Sequence, residues 1–216
     1  MNSKQKIAIF DFCDTIFNGQ SFNYFINYLI DNQPFYNKFY LKLRKTLTPF
    51  ISKNNLSRKE FLLRPYRGKS QQFFIEQGES FFNEIIKKRL YPELISLINE
   101  HQKRGDTVVL VSGGLSIYLS FFAKEYNIKH ELATNLKFDN GLFTGKVEGN
   151  ECLGEEKVLR LKDEINLELY DLNNAIVYTD HKSDLPLLNI VGKGVIIRNH
   201  QDVSWKDDKH TIIEVG

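Results

Sequence analysis

Short apolar runs that end in polar loops are the feature of this sequence that most restricts its fold. They lie at residues 6–12, 107–111, 175–178 and 194–197. Runs of this length are typical of strands buried on both faces, and such strands occur in parallel sheets covered by helices. Helical patterns occupy other segments, at residues 92–104, 115–126, 155–168 and 185–191. The sequence therefore predicts an α/β fold with a doubly wound parallel sheet.

The segment from residue 18 to residue 89 has a different pattern, in which aromatic residues recur at helical spacing. Its aromatic positions include Phe22, Phe25, Tyr28, Phe35, Phe39, Phe73, Phe74, Phe81 and Phe82. A proline removes an amide donor from a helix, so the prolines of the segment are expected to separate its helices. They are Pro34, Pro49 and Pro65. We expect a core domain at residues 1–17 and 90–216, with a helical cap inserted at residues 18–89.

A β-hairpin is predicted within the core portion. Residues 131–138 and 142–147 both have strand-like composition, and they flank Asp139-Asn140-Gly141. An Asn-Gly pair favours the tight turns that join antiparallel strands, because both residues tolerate positive φ. The two segments are therefore expected to pair with each other.

Composition excludes several classes of protein. The 216 residues carry a net charge of +2, and the basic residues are spread along the chain rather than clustered as in a nucleic-acid-binding surface. No apolar run approaches the length of a membrane span, and the first residues lack the apolar stretch of a secretory signal. Two cysteines do not make a disulfide framework, so a cytoplasmic location is expected. The oligomeric state stays open.

Four polar residues stand where the predicted fold brings chain segments together. Asp11, Ser112 and Asp180 follow predicted strands, and Lys157 lies at the start of a predicted helix. The carboxyl ends of parallel strands share one edge of the sheet, so these groups are expected to converge. A carboxylate can attack phosphorus, while a lysine, a hydroxyl and a metal ion neutralise the phosphoryl oxygens. The combination predicts phosphoryl transfer.

The motifs around these residues follow a recognisable order. Residues 10–15 read Phe-Asp-Phe-Cys-Asp-Thr and residues 109–114 read Val-Leu-Val-Ser-Gly-Gly. Residues 154–157 lead into a lysine, and residues 179–188 carry two acids four apart ahead of Leu-Pro-Leu-Leu. This ordered set resembles the four motifs of the haloacid dehalogenase superfamily, in particular the branch with a helical cap that includes phosphoserine phosphatase. The resemblance covers nearly the whole chain and implies a Rossmann-like core with an inserted cap.

The resemblance implies how the transferring phosphoryl group is held. Asp11 is expected to be the nucleophile that becomes an aspartyl phosphate, and Thr15 is expected to support its loop. Ser112, Gly113 and Lys157 are expected to bind the phosphoryl oxygens. The expected reaction is hydrolysis of a small phosphomonoester.

The resemblance also implies a magnesium site. Asp11, Asp180 and the main-chain carbonyl of Cys13 are expected to bind Mg²⁺ directly. Asp184 is expected to hold the metal's waters or to orient Lys157.

Cys13 departs from the family's first motif, which has a second aspartate at this position. That aspartate protonates the leaving group and then activates water against the acyl phosphate. A thiol with an ordinary pKa of about 8.5 can donate a proton, but it is a poor base at neutral pH. Asp14 could replace the missing aspartate only through a shifted loop, because adjacent side chains of an extended segment point in opposite directions. Three alternatives therefore stay open: a slow phosphatase, a phosphotransferase, or a regulatory module that binds phosphate without turnover.

Other candidates have weaker support. Arg64 and Arg67 lie in a basic stretch of the cap and are expected to contact the substrate, although such stretches are usually solvated. Cys152 is expected to be a packed hydrophobe, with a redox pair to Cys13 as the alternative. His181 is expected to face solvent, with metal ligation or catalysis as the alternative. Sugar, amino-alcohol and lipid phosphates all remain possible substrates.

Overall fold

A computed structural model of the chain describes residues 4–51, 57–198, 202–207 and 210–215, with residues 35, 36 and 47–51 described by their backbone alone. The strands of this described part are β1 (Ile7–Phe10), β2 (Thr107–Leu115), β3 (His130–Thr134), β4 (Leu136–Asp139), β5 (Leu142–Val147), β6 (Ile176–Thr179), β7 (Lys193–Arg198) and β8 (His210–Glu214). Its helices are α1 (Ser21–Asp31), α2 (Phe35–Ile51), α3 (Arg58–Leu63), α4 (Gln71–Phe81), α5 (Pro92–Lys103), α6 (Ser116–Glu125), α7 (Glu155–Glu164) and α8 (Leu185–Leu188). A π-helical segment, Phe82–Ile86, continues α4. Over the described ranges, no helix combines the length and the apolar character needed to cross a bilayer.

A parallel sheet with the strand order β3-β2-β1-β6-β7-β8 forms the centre of the molecule. Its register pairs Phe10 of β1 with Leu110 of β2 on one side and with Tyr178 of β6 on the other. The residues that follow these three strand positions therefore emerge at one edge of the sheet. The prediction of an α/β fold with a parallel sheet is confirmed.

The central strand β1 is buried on both faces because its residues alternate between two hydrophobic clusters. Ala8 and Phe10 pack with residues of α1, α4, α5 and α6, whereas Ile7 and Ile9 pack with residues of α7 and α8. Helices thus cover both faces of the sheet, which explains why the strand sequence is continuously apolar rather than alternating.

The predicted hairpin is correct in its turn and wrong in the extent of its first strand. Asn140 and Gly141 adopt positive φ values of 49° and 76°, and Asp139 pairs with Leu142 across them. However, residues 131–134 belong to β3, which joins the main sheet in parallel beside β2. The exposed Asn135 separates β3 from β4. A strand-like pattern does not specify the partner strand. The segment predicted as a single strand therefore forms two strands, β3 in the main sheet and β4 in the hairpin.

Several element boundaries also differ from prediction. Pro49 lies inside α2, two residues before its end, so the expectation that it separates two helices is wrong. A proline at this position lacks the amide that would bond to the carbonyl four residues earlier, and the helix ends two residues after it. Strand β8 was not predicted, and the helices predicted at residues 155–168 and 185–191 end at Glu164 and Leu188.

The helices α1–α4 and the turns that join them, within residues 21–89, are called the insertion here. They pack on one face of the sheet, where the ring of Phe81 lies 5.2 Å from Tyr118 of α6. Gly78 permits this approach, because a Cβ atom there would lie 1.9 Å from the Ile117 carbonyl oxygen. The β4–β5 hairpin also joins the insertion, since the amide of Gly68 donates to the carbonyl of Phe143 at 2.8 Å. The domain boundaries expected from the sequence stay a prediction.

Candidate active site

A buried lysine lies between two carboxylates at the carboxyl edge of the sheet. Lys157 Nζ donates to Asp11 Oδ1 and to Asp184 Oδ2, in both cases at 2.8 Å. Asp11 directly follows β1, Lys157 is in the first turn of α7, and Asp184 follows β6 through a short loop. The exposed fractions of Lys157 and Asp184 are only 2% and 1%. Sequence-distant groups are therefore held in a fixed ion-paired cluster.

Two threonines fix the carboxylates of this cluster. Thr179 Oγ1 donates to Asp184 Oδ2 at 2.7 Å, and Thr15 Oγ1 donates to Asp180 Oδ1 at 3.3 Å. Both threonines are fully buried. The Thr15 side chain therefore orients Asp180 at the end of the neighbouring strand, while its amide donates to the carbonyl of Phe12 in its own loop.

Ser112 and the two glycines after it form the opposite wall. The Ser112 hydroxyl accepts a hydrogen bond from the amide of Gly114 at 3.0 Å, within the last residues of β2. At Gly113 a Cβ atom would lie 2.4 Å from the end of the Leu153 side chain, so any other residue there would require that side chain to shift. Ser112, Gly113 and Gly114 all line the cavity that contains Asp11 and Lys157. A hydroxyl and exposed backbone next to a lysine are suited to binding phosphoryl oxygens.

Burial and mutual repulsion raise the pKa values of the carboxylates. Burial raises the pKa of Asp11 to about 6, because attraction by Lys157 offsets only part of the desolvation. Burial, with the negative charges of Asp11 and Asp14, raises the pKa of Asp180 to about 8. Burial lowers the pKa of Lys157, but the attraction of its two carboxylate partners outweighs this and leaves it above its usual range. Full ionisation of Asp11 and Asp180 is therefore unfavourable unless a further positive charge is added beside Lys157.

A divalent cation would supply that further positive charge. Asp184 Oδ1 is buried without a hydrogen-bond partner among the described atoms, and Asp180 lies close enough to Asp11 for repulsion. Mg²⁺ typically binds one or two carboxylates and completes its shell with waters and substrate phosphate oxygens. Asp11 and Asp180 match that donor set. Within the part of the chain that the structure describes, no group of three or more His, Cys, Asp or Glu side chains is arranged to hold a metal ion.

The Cys13 thiol belongs to a buried hydrogen-bond chain. Its Sγ lies 3.1 Å from Ser21 Oγ and accepts a weak bond from the Ser21 amide at 3.4 Å. Ser21 Oγ lies 3.0 Å from the hydroxyl of Tyr118. Burial, with the charge of Asp11, raises the pKa of the Cys13 thiol to about 12. Cys13 is one of the residues that line the cavity, and the raised pKa keeps its thiol protonated at neutral pH.

Asp14 does not point into the same cavity. It adopts a φ of 53°, and its carboxylate accepts a 2.6 Å hydrogen bond from Gln20. It lines an adjoining pocket of about 490 Å³ with Trp205, and the two cavities share Gln20, Asp180 and His181. In this arrangement Asp14 is not placed to replace the missing aspartate.

The cavity has a volume of about 560 Å³ and extends from the sheet edge to the insertion. Beyond the phosphate end it is lined by Gln20, Phe22, Asn23, Arg58, Lys59, Glu151 and Leu153. Arg64 and Arg67 are exposed and are not among the lining residues, so the structure does not support the expectation that they contact the substrate, which stays a prediction. They follow α3, whereas the start of α3 supplies the basic residues at the cavity. The sequence pattern locates the basic stretch, but it does not indicate which of its residues line the cavity.

A charged link across this cavity was missed by the sequence analysis. Ser57 and Lys59 of the insertion both donate to the carboxylate of Glu151, which lies in the loop before α7. The link joins residues about ninety positions apart. The sequence contains no signal for it, because pairing of these charges depends on how α3 packs on the core.

The remaining candidates are structural. Cys152 is fully buried in a hydrophobic cluster, and its thiol donates to the carbonyl of Leu132 at 3.5 Å, which agrees with a packed role. His181 lines the cavity, and its Nδ1 accepts from the amide of Ser183 at 3.1 Å, so it caps the turn that leads to Asp184.

A family model for haloacid dehalogenase-like hydrolases matches residues 8–189, and the chain therefore belongs to that family. This confirms the resemblance drawn from the motifs. Phosphoserine phosphatase of Lactococcus lactis subsp. lactis is 32% identical over 141 residues, which are 63% of this chain and 65% of that protein. Histidinol-phosphatase of Neisseria meningitidis serogroup C is 26% identical over 209 residues, 89% of this chain and 90% of that protein.

The fold is also found among solved structures. A protein of unknown function from Bordetella pertussis Tohama I matches with a TM-score of 0.79 and 22% identity, over 90% of this chain and 91% of that one. At this identity the match establishes the fold alone. Some curated relatives are longer, since the chain spans 44% of the length of two mycobacterial proteins that it matches.

Proposed function

We propose that this protein is a Mg²⁺-dependent phosphatase that cleaves a small phosphomonoester through an aspartyl phosphate on Asp11. The observation that carries the proposal is the pair of 2.8 Å bonds that hold Lys157 between Asp11 and Asp184, in a cavity also lined by Ser112. A fixed cation beside a nucleophilic carboxylate is suited to stabilising a transferring phosphoryl group.

The reaction is proposed to take two displacements. An oxygen of Asp11 attacks phosphorus, the bond between phosphorus and the ester oxygen breaks, and the leaving alkoxide takes up a proton. Water then attacks the phosphorus of the acyl phosphate and gives up a proton, the bond to Asp11 breaks, and inorganic phosphate leaves. Lys157 and Ser112 bind the phosphoryl oxygens in both steps.

The expected magnesium ligands are Asp11, Asp180 and the carbonyl of Cys13, with Asp184 orienting Lys157. When bound, the cation neutralises charge on the phosphoryl oxygens and on the carboxylates. The repulsion between Asp11 and Asp180 supports this assignment.

Cys13 is proposed to make turnover slow. A thiol at this position can donate a proton to the leaving group, but it lacks the basicity to activate water in the second step. The missing base contribution corresponds to a loss of about 10²–10⁴-fold. We therefore expect hydrolysis of the phosphoenzyme to limit the rate.

The far end of the cavity is proposed to select the leaving group. Phe22 and Leu153 offer apolar contact, while Arg58 and the Lys59–Glu151 pair offer charge of both signs. A leaving group with a short carbon chain and a polar end suits this lining. Phosphoserine and histidinol phosphate, named for the Lactococcus and Neisseria relatives, both fit this description and are the first substrates to test.

The test is Mg²⁺-dependent turnover of a panel of phosphomonoesters by the wild type, Asp11→Asn and Cys13→Asp. We expect slow turnover by the wild type, none by Asp11→Asn, and turnover raised about tenfold or more by Cys13→Asp. Asp163→Asn, an exposed acid on α7, serves as the matched control and should retain wild-type activity. Turnover by Cys13→Asp alone would contradict the proposal for the natural protein.

A phosphotransferase is the second candidate, and the thiol at position 13 favours it. An acyl phosphate that water attacks slowly survives long enough to react with an acceptor alcohol. Product analysis distinguishes the two functions: a phosphatase releases inorganic phosphate at the same rate with or without the alcohol, whereas a transferase forms a new ester. The third alternative, a regulatory module, predicts bound phosphate and no turnover of any substrate.

A further inference from the structure

An exposed apolar stripe on α2 has no role in the proposed phosphatase chemistry. It consists of Phe39, Tyr40 and Leu43, whose exposed fractions are 70%, 55% and 51%. Their spacing places them on one side of the helix. The other large exposed apolar residues of the described chain are distributed over other segments, among them Ile75, Leu142, Leu159, Leu169 and Leu185. Single exposed residues are ordinary, whereas a contiguous stripe marks a contact surface.

The packing of α2 fixes the stripe toward the outside. Arg44 donates from Nε and Nη2 to the carbonyl of Phe61 in α3, at 3.1 and 2.8 Å, and its guanidinium lies 3.8 Å from the Phe61 ring centroid. Leu41 is buried in the main hydrophobic cluster. These contacts hold the opposite face of α2 against the insertion, so the stripe cannot turn inward without breaking them.

The charge of α2 identifies the chemistry of its partner. The helix carries four basic residues, Lys38, Lys42, Arg44 and Lys45, and no acidic residue between Phe35 and Ile51. Lys38 and Lys42 share one carboxylate, Asp31 of α1, at 3.4 and 3.9 Å. The lysine side of the stripe therefore has a net positive charge, and a negatively charged surface complements it.

We propose that α2 is a docking helix for anionic phospholipid membranes. The stripe of Phe39, Tyr40 and Leu43 enters the interfacial region of the bilayer, and Lys38 and Lys42 contact the headgroups. An amphipathic helix with basic residues beside aromatic and leucine side chains has the composition that such surfaces bind. Docking through a second copy of the chain is disfavoured, because a two-fold contact would bring the lysines of both copies together.

The docking helix packs against two helices that contribute residues to the cavity wall. α2 packs against α1 and α3, and the first residues of α3, Arg58 and Lys59, line the cavity. Docking through α2 therefore places the substrate-selecting part of the molecule close to the membrane. The inference concerns the surface alone and does not depend on the proposed phosphatase reaction.

Vesicle co-sedimentation of the full chain tests the inference. The wild type is expected to sediment with phosphatidylcholine vesicles that contain phosphatidylglycerol, not with phosphatidylcholine alone, and high salt should reduce the bound fraction. Phe39→Ser combined with Leu43→Ser should weaken binding by at least about tenfold. Leu159→Ser combined with Leu169→Ser, at similarly exposed positions elsewhere, is the control and should bind like the wild type.

Two further measurements keep the test decisive. Lys38→Glu combined with Lys42→Glu should also abolish sedimentation. Lys124→Glu combined with Lys162→Glu is the control and should retain most of it. Circular dichroism checks that every variant is folded. Equal binding to neutral and anionic vesicles, or binding unchanged by the stripe variant, overturns the proposal. It is also overturned if light scattering shows a dimer that the stripe variant dissociates, since the stripe is then an interface between copies.

Discussion

The catalytic edge of the sheet and the insertion are held together by different interactions. At the edge, buried groups are fixed by charge, since Lys157 lies between Asp11 and Asp184 at 2.8 Å from each. In the insertion, aromatic rings do the packing, as in the 5.2 Å contact between Phe81 and Tyr118. The proposed chemistry and the proposed choice of substrate therefore fall on parts of the molecule that are stabilised in different ways. Each part should therefore respond to mutation in its own way.

Lys157→Met should have the largest effect on activity. It removes the cation that pairs with Asp11 and that is proposed to bind the phosphoryl oxygens, so turnover should fall by at least about 10²–10³-fold. Initial rates with a saturating aryl phosphate measure the loss. Lys162→Met, an exposed lysine of the same helix, should leave the rate unchanged. A Lys157 variant that kept more than a tenth of the wild-type activity would show that Lys157 does not stabilise the transferring phosphoryl group.

Gly78→Ala should affect stability rather than chemistry. A new Cβ atom would meet the Ile117 carbonyl oxygen at 1.9 Å, so α4 must move away from α6. We expect a loss of about 1–3 kcal/mol in the free energy of unfolding, measured by urea denaturation. The rate per folded molecule should stay within about threefold of the wild type.

The sign of the change in unfolding free energy in Gly78→Ala tests how closely α4 approaches α6. Alanine is the better helix former by about 1 kcal/mol, so a stabilised variant would mean that α4 and α6 do not approach as closely as described. Glu79→Ala, at an exposed position of the same helix, is the matched control.

Glu151→Gln should have the smallest effect on activity. Glu151 lies where the sheet edge meets the insertion, because it pairs with Lys59 across the cavity wall. The change keeps the volume but removes the charge that pairs with Lys59 in the cavity wall. The KM should fall for substrates with an additional anionic group and rise for those with an ammonium group, each by about three- to tenfold, with little change in kcat. Glu148→Gln, an exposed acid nearby in sequence, should alter neither KM. If the KM changed by the same factor and in the same direction for both substrate types, Glu151 would have no role in selecting the leaving group.

The same division explains how far the sequence predicts this structure. Asp11, Ser112, Lys157 and Asp180 were expected to meet because each is tied to a strand end or helix start, and the topology of a parallel sheet determines where those lie. Arg64 and Arg67 follow α3 and are exposed, whereas Arg58 and Lys59 at its start line the cavity, because a basic stretch does not specify which of its residues face a cavity. The Ser57–Lys59–Glu151 link and the Cys13–Ser21–Tyr118 chain depend on tertiary packing, which no local pattern contains.

The central claim, that Asp11 carries the phosphoryl group, is tested most directly by trapping the phosphoenzyme. The protein is mixed with Mg²⁺ and a ³²P-labelled phosphomonoester, quenched in acid, and treated with hydroxylamine, which cleaves acyl phosphates. The account predicts a hydroxylamine-labile label on the wild type, a longer-lived label than on Cys13→Asp, and none on Asp11→Asn. Turnover without any label on the wild type, or a label that persists in Asp11→Asn, would contradict it.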